Sequence, residues 1–191
     1  MKRRIFIAIN LPEDVKKSLV DYKNEWPDLP ARWINPENIH VTLEFLGYLN
    51  DDELVEICRI AKNVAAKNAS FEISLKKICY GPTDKMPPRM VWAIGEPVQE
   101  LSVLQKDLKD ALSGEEKINF VPENRQFQPH ITLARILQWQ WRRIEPEERP
   151  QIEEEIDLTF PVNSIEVMES ELRRGRPKYT VHETYNLKLG T

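Results

Sequence analysis

The sequence has little of the residue types that mark several common classes of site. It contains two cysteines and three histidines in 191 residues. Cys58 and Cys79 lie apart without a C-x-x-C spacing, so they give no zinc motif, and we expect both to be thiols of a reduced core. The motifs G-x-x-x-x-G-K-[ST], G-x-G-x-x-G and G-x-S-x-G do not occur, which removes the usual signals of a P-loop, a dinucleotide fold and a serine hydrolase elbow.

Long apolar runs and a strong charge of one sign are missing as well. The N-terminal run Ile5–Ile9 is shorter than the roughly 7 to 15 apolar residues of a signal peptide, and no stretch reaches the length of a membrane span. The net charge is -4, so the protein has no overall positive potential that would bind long nucleic acid. Any contact with nucleic acid should therefore be confined to a local basic patch. We expect a cytoplasmic monomer without a membrane segment.

A repeated tetrapeptide, H-x-T-L, is the main feature that is present. Its copies are His40–Leu43 and His130–Leu133. In a strand, successive side chains point to opposite faces, so each copy places a histidine beside a threonine on one face. Strict alternation predicts that Glu44 and Ala134 share the histidine faces, whereas Phe45 and Arg135 turn inward with the aliphatic residues.

The repeat extends beyond the tetrapeptide. Residues 4–12 align with residues 89–97 at an offset of 85, each segment is followed by an amphipathic helical pattern, and each half then reaches its H-x-T-L strand. A further helix is predicted from about Asp51 to Asn68 with Asn50 or Asp51 as its cap, and further strands at 71–80, 164–172 and 179–187. These patterns predict an α+β fold: one bilobal domain over residues 1–191, with two pseudo-symmetric lobes, each an antiparallel sheet flanked by helices, around a central groove.

Two histidines with adjacent hydroxyls suit displacement at phosphorus. Near neutral pH one imidazole can accept a proton while the other donates one, and Thr42 and Thr132 can hydrogen-bond the phosphate oxygens. Such a scheme needs neither a metal nor a cofactor. A zinc site is the rival hypothesis, but catalytic zinc usually has three protein ligands, and Glu44 is the only nearby carboxylate on the histidine face. A single half-exposed histidine in a strand usually has a structural role. That explanation is weaker here, because two histidines occupy matching places in a repeated unit.

Four other segments carry weaker expectations. His182 should be a solvated surface residue, and residues 145–155, which are acidic, should form a mobile connector. Residues 139–143 interleave tryptophan with arginine, and they could stack on bases or pack against the body. A basic turn is formed by Arg173, Arg174, Arg176 and Lys178. It could guide a polynucleotide, or it could be the solvated end of a hairpin.

The motifs resemble those of the 2H phosphoesterase superfamily, and within it the RNA 2',3'-cyclic phosphodiesterases, which are also called 2'-5' RNA ligase-like proteins. The matching pieces are R-I-F-I-A-I at 4–9, N-I-H-V-T-L-E-F-L-G at 38–47, V-W-A-I at 91–94 and Q-P-H-I-T-L-A-R at 128–135. A similar C-terminal pattern includes Ser170, Leu172, Gly175 and Tyr179.

The resemblance implies an enzyme that hydrolyses a terminal RNA 2',3'-cyclic phosphate, or a small cyclic nucleotide, to a 2'-phosphomonoester without a metal. It implies that His40 donates a proton to the leaving 3' oxygen, that His130 accepts one from water, and that Arg135 contacts substrate. Because strict alternation turns Arg135 inward, either the strand bulges after Leu133 or Arg135 is a structural ion-pair partner. The alternatives are a non-catalytic binder of RNA ends and an RNA ligase or phosphodiesterase acting on other 2'-5' linked or cyclic nucleotides.

Overall fold

The computed structural model describes residues 2–83, 86–118, 120–122, 127–173 and 176–190, with the backbone alone for residues 173 and 176. The strands are β1 (Arg3–Asn10), β2 (Ala31–Trp33), β3 (His40–Leu49), β4 (Phe71–Gly81), β5 (Met90–Gly95), β6 (His130–Ile136), β7 (Glu153–Val162), β8 (Ser164–Arg173) and β9 (Arg176–Asn186). The α-helices are α1 (Glu13–Asp21), α2 (Asp51–Ala65), α3 (Gln99–Ser113) and α4 (Gln138–Trp141).

Within the described ranges, the nine strands form one sheet whose order is β7-β4-β5-β6-β3-β1-β8-β9, with β2 paired to β6. All strand pairs are antiparallel. The two four-stranded halves meet where β3 pairs with β6 at Val41 and Ile131. Each half contains the same unit, β1-α1-β3 in one and β5-α3-β6 in the other. The α+β class with two related antiparallel halves is therefore confirmed, and the halves are joined into one continuous sheet.

The strand register corrects the predicted alignment of the two halves. Ala8 lies opposite Thr42 in one half, and Trp92 lies opposite Thr132 in the other. Ala8 is therefore equivalent to Trp92 and not to Ala93, so the sequence alignment was wrong by one residue. A one-residue slip moves every side chain to the other face, and the shared residues of the two segments hid this slip.

Both H-x-T-L strands carry a β-bulge at the same place. Leu43 is the extra residue between the pairs Ile7–Glu44 and Ala8–Thr42, and Leu133 is the extra residue in β6. Strict alternation was consequently wrong beyond each leucine. Glu44 and Ala134 are buried, whereas Phe45 and Arg135 are exposed. Of the two explanations weighed for Arg135, the bulge is confirmed.

Helices α1, α2 and α3 cover the apolar side of the sheet and begin where the sequence indicates. Asn50 caps α2 by accepting a hydrogen bond from the Glu53 backbone N–H at 2.9 Å, and the Glu53 carboxylate accepts one from the Asn50 N–H at 2.7 Å. This reciprocal arrangement satisfies two backbone donors that a helix start otherwise leaves unpaired. Buried leucines of α1 and α3 join the same core as Ile57 of α2. Both cysteines are free; Cys79 is buried and Cys58 is half-buried against the core.

The acidic segment 145–155 was only partly a connector. Pro146–Glu148 forms a short 3-10 helix, and Glu153 begins β7, which pairs with β4 along the edge of the sheet. Lys77 binds Glu153 at 2.5 Å across this pair. Charged side chains suit an edge strand, because they discourage pairing with a second chain.

Candidate active site

The two H-x-T-L motifs open onto one groove of about 870 Å³. His40, Thr42, His130 and Thr132 all line it, and so does Arg135. The antiparallel pairing of Val41 with Ile131 brings the motifs together, because the histidine and threonine of each copy flank that pair. A volume of this size is typical of a small-molecule site and accommodates a nucleotide.

The His40 ring is fixed by a hydrogen bond on each nitrogen. Its Nδ1 lies 2.8 Å from the Asn38 carbonyl oxygen, so Nδ1 carries the proton, since a carbonyl only accepts. Its Nε2 lies 3.0 Å from Thr42 Oγ1. Phe6 and Tyr179 pack against the ring, with centroids 5.0 Å and 5.2 Å away. The groove-facing nitrogen of His40 is therefore Nε2.

The His130 ring has the same anchor and a different neighbour. Its Nδ1 donates to the Gln128 carbonyl oxygen at 2.9 Å, again two residues before the histidine. The indole of Trp92 stacks on the imidazole with centroids 3.9 Å apart and planes inclined by 27°. Thr132 Oγ1 lies 3.8 Å from the Met90 sulfur. Sequence analysis gave Trp92 no role, because it took this residue only as part of a repeated strand and of the V-W-A-I match.

Burial sets the protonation of both rings. Burial lowers the pKa of His40 to about 4, the hydrogen bond to Asn38 opposes that shift, and the charge of His130 adds to it. Burial also lowers the pKa of His130, against the opposing effect of the Gln128 carbonyl. An apolar environment disfavours the charged imidazolium. Both rings are therefore neutral at pH 7 in the free protein.

The bulges give the groove two unlike sides. Phe45 and Arg135 occupy equivalent positions, each beyond the bulge of its strand, and both line the groove. Phe45 is 59% exposed and offers an aromatic face, whereas Arg135 offers a guanidinium. An aromatic face suits a base, and a guanidinium suits a phosphate. Glu44 accepts a hydrogen bond from Gln105 of α3.

Other predicted residues fall outside the groove. His182 is not simply solvated, because its Nε2 lies 2.8 Å from Glu169 and its side chain is half-buried. Trp141 is buried against Tyr80, which confirms packing for that residue, whereas Trp139 is 58% exposed with Arg143 over its ring.

The basic turn is described only in part. Arg174 lies outside the described residues, as do the side chains of Arg173 and Arg176, so its proposed roles stay open.

Metal-ligating groups are scattered through the described ranges. No cluster of three or more histidine, cysteine, aspartate or glutamate side chains there could hold a metal ion. Glu44, the third ligand that the zinc hypothesis needed, is hydrogen-bonded to Gln105. Among the described helices, none combines the length and apolar character required to cross a membrane.

Comparisons with known proteins agree over nearly the whole chain. The profile of the family described as LigT like phosphoesterase matches residues 9–92 and 94–179. A Thermus thermophilus relative named RNA 2',3'-cyclic phosphodiesterase is 29% identical over 194 residues, covering 97% of this chain and 90% of the relative. A Thermotoga maritima relative of the same name is 33% identical over 159 residues, covering 81% of this chain and 82% of the relative.

Solved structures share the fold. The crystal structure of a Thermus thermophilus protein matches with a TM-score of 0.82 at 29% identity, covering 98% of this chain and 100% of that chain. E. coli LigT complexed with 3'-AMP matches with a TM-score of 0.78 at 23% identity, covering 98% and 99%, and supports the fold alone. Fold and profile together define the class of protein as a phosphoesterase. Within that class, the chain belongs to the LigT-like phosphoesterase family, and the expectation of such an enzyme is confirmed.

Proposed function

We propose that this protein hydrolyses the 2',3'-cyclic phosphate at an RNA end, or on a small cyclic nucleotide, to a 2'-phosphomonoester without a metal ion. One observation carries the proposal: two His-Thr pairs line a single groove, and a carbonyl two residues upstream holds Nδ1 of each histidine. That anchor leaves proton transfer to Nε2 of both rings, and at His40 the substrate takes over the Thr42 hydroxyl that Nε2 binds in the free protein. Relatives named RNA 2',3'-cyclic phosphodiesterase support the substrate class.

The proposed reaction is an in-line displacement at phosphorus. His130 Nε2 accepts a proton from water, and the water oxygen forms a bond to phosphorus. The bond from phosphorus to the 3' oxygen breaks, and His40 Nε2 donates a proton to that oxygen, so the phosphate remains on the 2' oxygen. Thr42 and Thr132 hydrogen-bond the non-bridging oxygens, and Arg135 balances their charge. The assignment of acid and base follows the family resemblance.

The low pKa values of the histidines add a requirement. A general acid must be protonated before it can donate, yet burial lowers the pKa of His40 to about 4 in the free protein. A cyclic phosphate is an anion, and an anion beside an imidazole raises the pKa of that ring. Substrate binding therefore supplies the charge that protonates the acid, so binding is coupled to uptake of a proton at neutral pH.

Product analysis tests the reaction. Protein dialysed against EDTA is incubated with 2',3'-cyclic CMP and with an oligonucleotide that ends in a 2',3'-cyclic phosphate, and phosphorus NMR locates the product phosphate. The expected product carries it on the 2' oxygen, at the same rate with and without added magnesium or zinc. A 3'-phosphate product would contradict the assigned direction, and activity that returns only with metal would contradict the mechanism. Binding without turnover would favour the RNA-end binder.

A further inference from the structure

A second cavity of about 740 Å³ lies beside the groove and shares Met90 and Arg135 with it. We propose that this cavity, here called the arginine pocket, binds the RNA backbone phosphate on the 5' side of the cyclic end. Its polar lining residues are Arg89, Arg135, Gln138 and Arg142. The inference rests on the proposed function and names its preferred substrate, an oligonucleotide rather than a mononucleotide.

The charge of the arginine pocket points to an anion. Arg89, Arg135 and Arg142 line it, and its lining includes no carboxylate. Each of the three side chains is exposed, and no ion pair joins its guanidinium to a carboxylate among the described residues. The whole chain carries a net charge of -4, so this cationic cluster is a local feature and not part of a general basic surface. A guanidinium group can donate two parallel hydrogen bonds to two oxygens of one phosphate.

Strand pairing places a further arginine opposite one that lines the arginine pocket. Arg32 of β2 lies directly opposite Arg135 of β6. Like charges directly opposite each other in an antiparallel pair are destabilising. In the proposed complex, a phosphate between or beside these side chains offsets that repulsion. Phosphate binding therefore explains why two arginines lie opposite each other.

Backbone and side-chain hydrogen bonds hold the segments that supply the arginines. The Ile136 N–H donates to the Arg89 carbonyl oxygen at 2.9 Å, and Gln138 Nε2 donates to the Pro88 carbonyl oxygen at 2.7 Å. Gln138 begins α4 and Arg142 directly follows its last residue, so the two are about one helical turn apart and both line the pocket. Residues 88 and 89, the end of β6 and the start of α4 are thus held together by hydrogen bonds.

The chemistry of the substrate gives the direction. A 2',3'-cyclic phosphate occupies both the 2' and 3' oxygens of the last ribose, so the chain cannot continue beyond it. Every other phosphate of the RNA lies on the 5' side. When the cyclic end lies between His40 and His130, the rest of the RNA must therefore leave the groove on the 5' side of that end. The arginine pocket adjoins the groove at Arg135.

The test compares two substrates in one charge-neutralising variant. Arg89→Gln with Arg142→Gln is assayed on 2',3'-cyclic CMP and on a trinucleotide ending in a 2',3'-cyclic phosphate. We expect kcat/KM for the trinucleotide to fall roughly tenfold or more, mainly through KM, with 2',3'-cyclic CMP changed less than about twofold. The salt dependence of the trinucleotide reaction should flatten, by about 0.7 in the logarithmic slope for each lost phosphate contact. Arg135 is left intact because it also lines the groove.

The matched control removes the same charge elsewhere. Lys62→Gln with Lys67→Gln alters two exposed residues in and just after α2, outside both cavities. This control should leave both substrates unchanged. Equal losses on both substrates in the arginine variant, or an equal loss in the lysine control, would overturn the proposal.

A binding measurement separates this proposal from the proposed function. Fluorescence anisotropy with a labelled trinucleotide carrying a 3'-phosphate needs no turnover. Weaker binding by the arginine variant supports the arginine pocket even if the wild-type protein cleaves neither substrate. Unchanged affinity contradicts it even if cleavage is efficient.

Discussion

At the scale of residues, the two histidines share an anchor and differ in their packing. His40 lies against Phe6 and Tyr179, whereas His130 stacks on Trp92. Pseudo-symmetry puts Ala8 where the other half has Trp92, so the indole beside Thr132 has no counterpart beside Thr42. The two rings therefore have different surroundings in a nearly symmetric frame, and that difference allows them different roles.

Gly81 is required by the position of Trp92. A Cβ atom on Gly81 would overlap the indole ring of Trp92. Gly81 belongs to β4 and His130 to β6, on the two sides of the strand that carries Trp92. Gly81→Ala should displace the indole and with it the His130 ring, so we expect kcat to fall roughly tenfold to a hundredfold, because small misplacements of a reacting group are costly.

Gly114 supplies the control for that variant. A Cβ there would make ordinary contacts, the nearest at 3.5 Å, and its backbone is in the right-handed helical region. Gly114→Ala should keep kcat and leave the protein as stable or slightly more stable. If Gly81→Ala is poorly folded, adding Trp92→Leu should restore stability, and thermal unfolding measures this. Wild-type kcat in well-folded Gly81→Ala would contradict the positioning role of Trp92.

At the scale of elements, the sequence predicted α1, α2, α3 and most strands, but it predicted neither α4 nor the bulges. Alternation holds through Leu43 and Leu133 and then fails, since the bulge inserts one residue into each strand. A signal was available in the sequence: the branched aliphatic residues at 41 and 43 are followed by one at 46, and those at 131 and 133 by one at 136, a change of spacing from two to three. Arg135 reaches the groove only because of this change, so a family resemblance predicted it where strict periodicity did not.

Strand β7 was missed for a different reason. Ile156, Leu158, Phe160 and Val162 alternate as a half-buried strand does. The preceding glutamates and the nearby prolines suggested a solvated connector instead. Cross-strand partners on β4 fix this edge, and a single segment considered alone does not contain them.

The start of α2 gives a stability prediction at this scale. Asn50→Ala removes a capping hydrogen bond and leaves the Glu53 N–H without its side-chain acceptor. We expect the free energy of unfolding to fall by about 1 kcal/mol, with kcat unchanged because the cap lies outside the groove. Urea denaturation measures the change, and Asn50→Asp, which preserves the acceptor, should retain most of the stability. A loss of stability as large in Asn50→Asp would contradict the capping explanation.

At the scale of the whole molecule, the two halves form one sheet. They are joined at the residue pair Val41–Ile131, which lies between the two histidines. This geometry buries His40 in a groove shared by both halves, and burial lowers its pKa from 6.5 to about 4. In the unfolded chain the same side chain takes up a proton at a higher pH than in the fold. The position of the site therefore couples the stability of the molecule to pH.

That coupling has a definite sign. The stabilising contribution of neutral His40 is complete above pH 6.5 and is lost as the pH falls toward 4, because protons then favour the unfolded chain. Between pH 7 and pH 4.5 we expect wild type to lose roughly 2 kcal/mol more unfolding free energy than His40→Gln. Urea denaturation of both proteins at the two pH values measures the difference. Identical pH dependence in the two proteins would contradict the buried neutral imidazole.

The central claim is that His40 and His130 act together as one acid-base pair. The direct measurement is kcat on 2',3'-cyclic CMP for His40→Ala, His130→Ala, the double variant and His182→Ala, with circular dichroism to check each fold. We predict that each groove variant loses at least about a hundredfold, that the double variant is little worse than the poorer single variant, and that His182→Ala keeps wild-type activity. Wild-type activity in a folded His40→Ala or His130→Ala protein would contradict the claim.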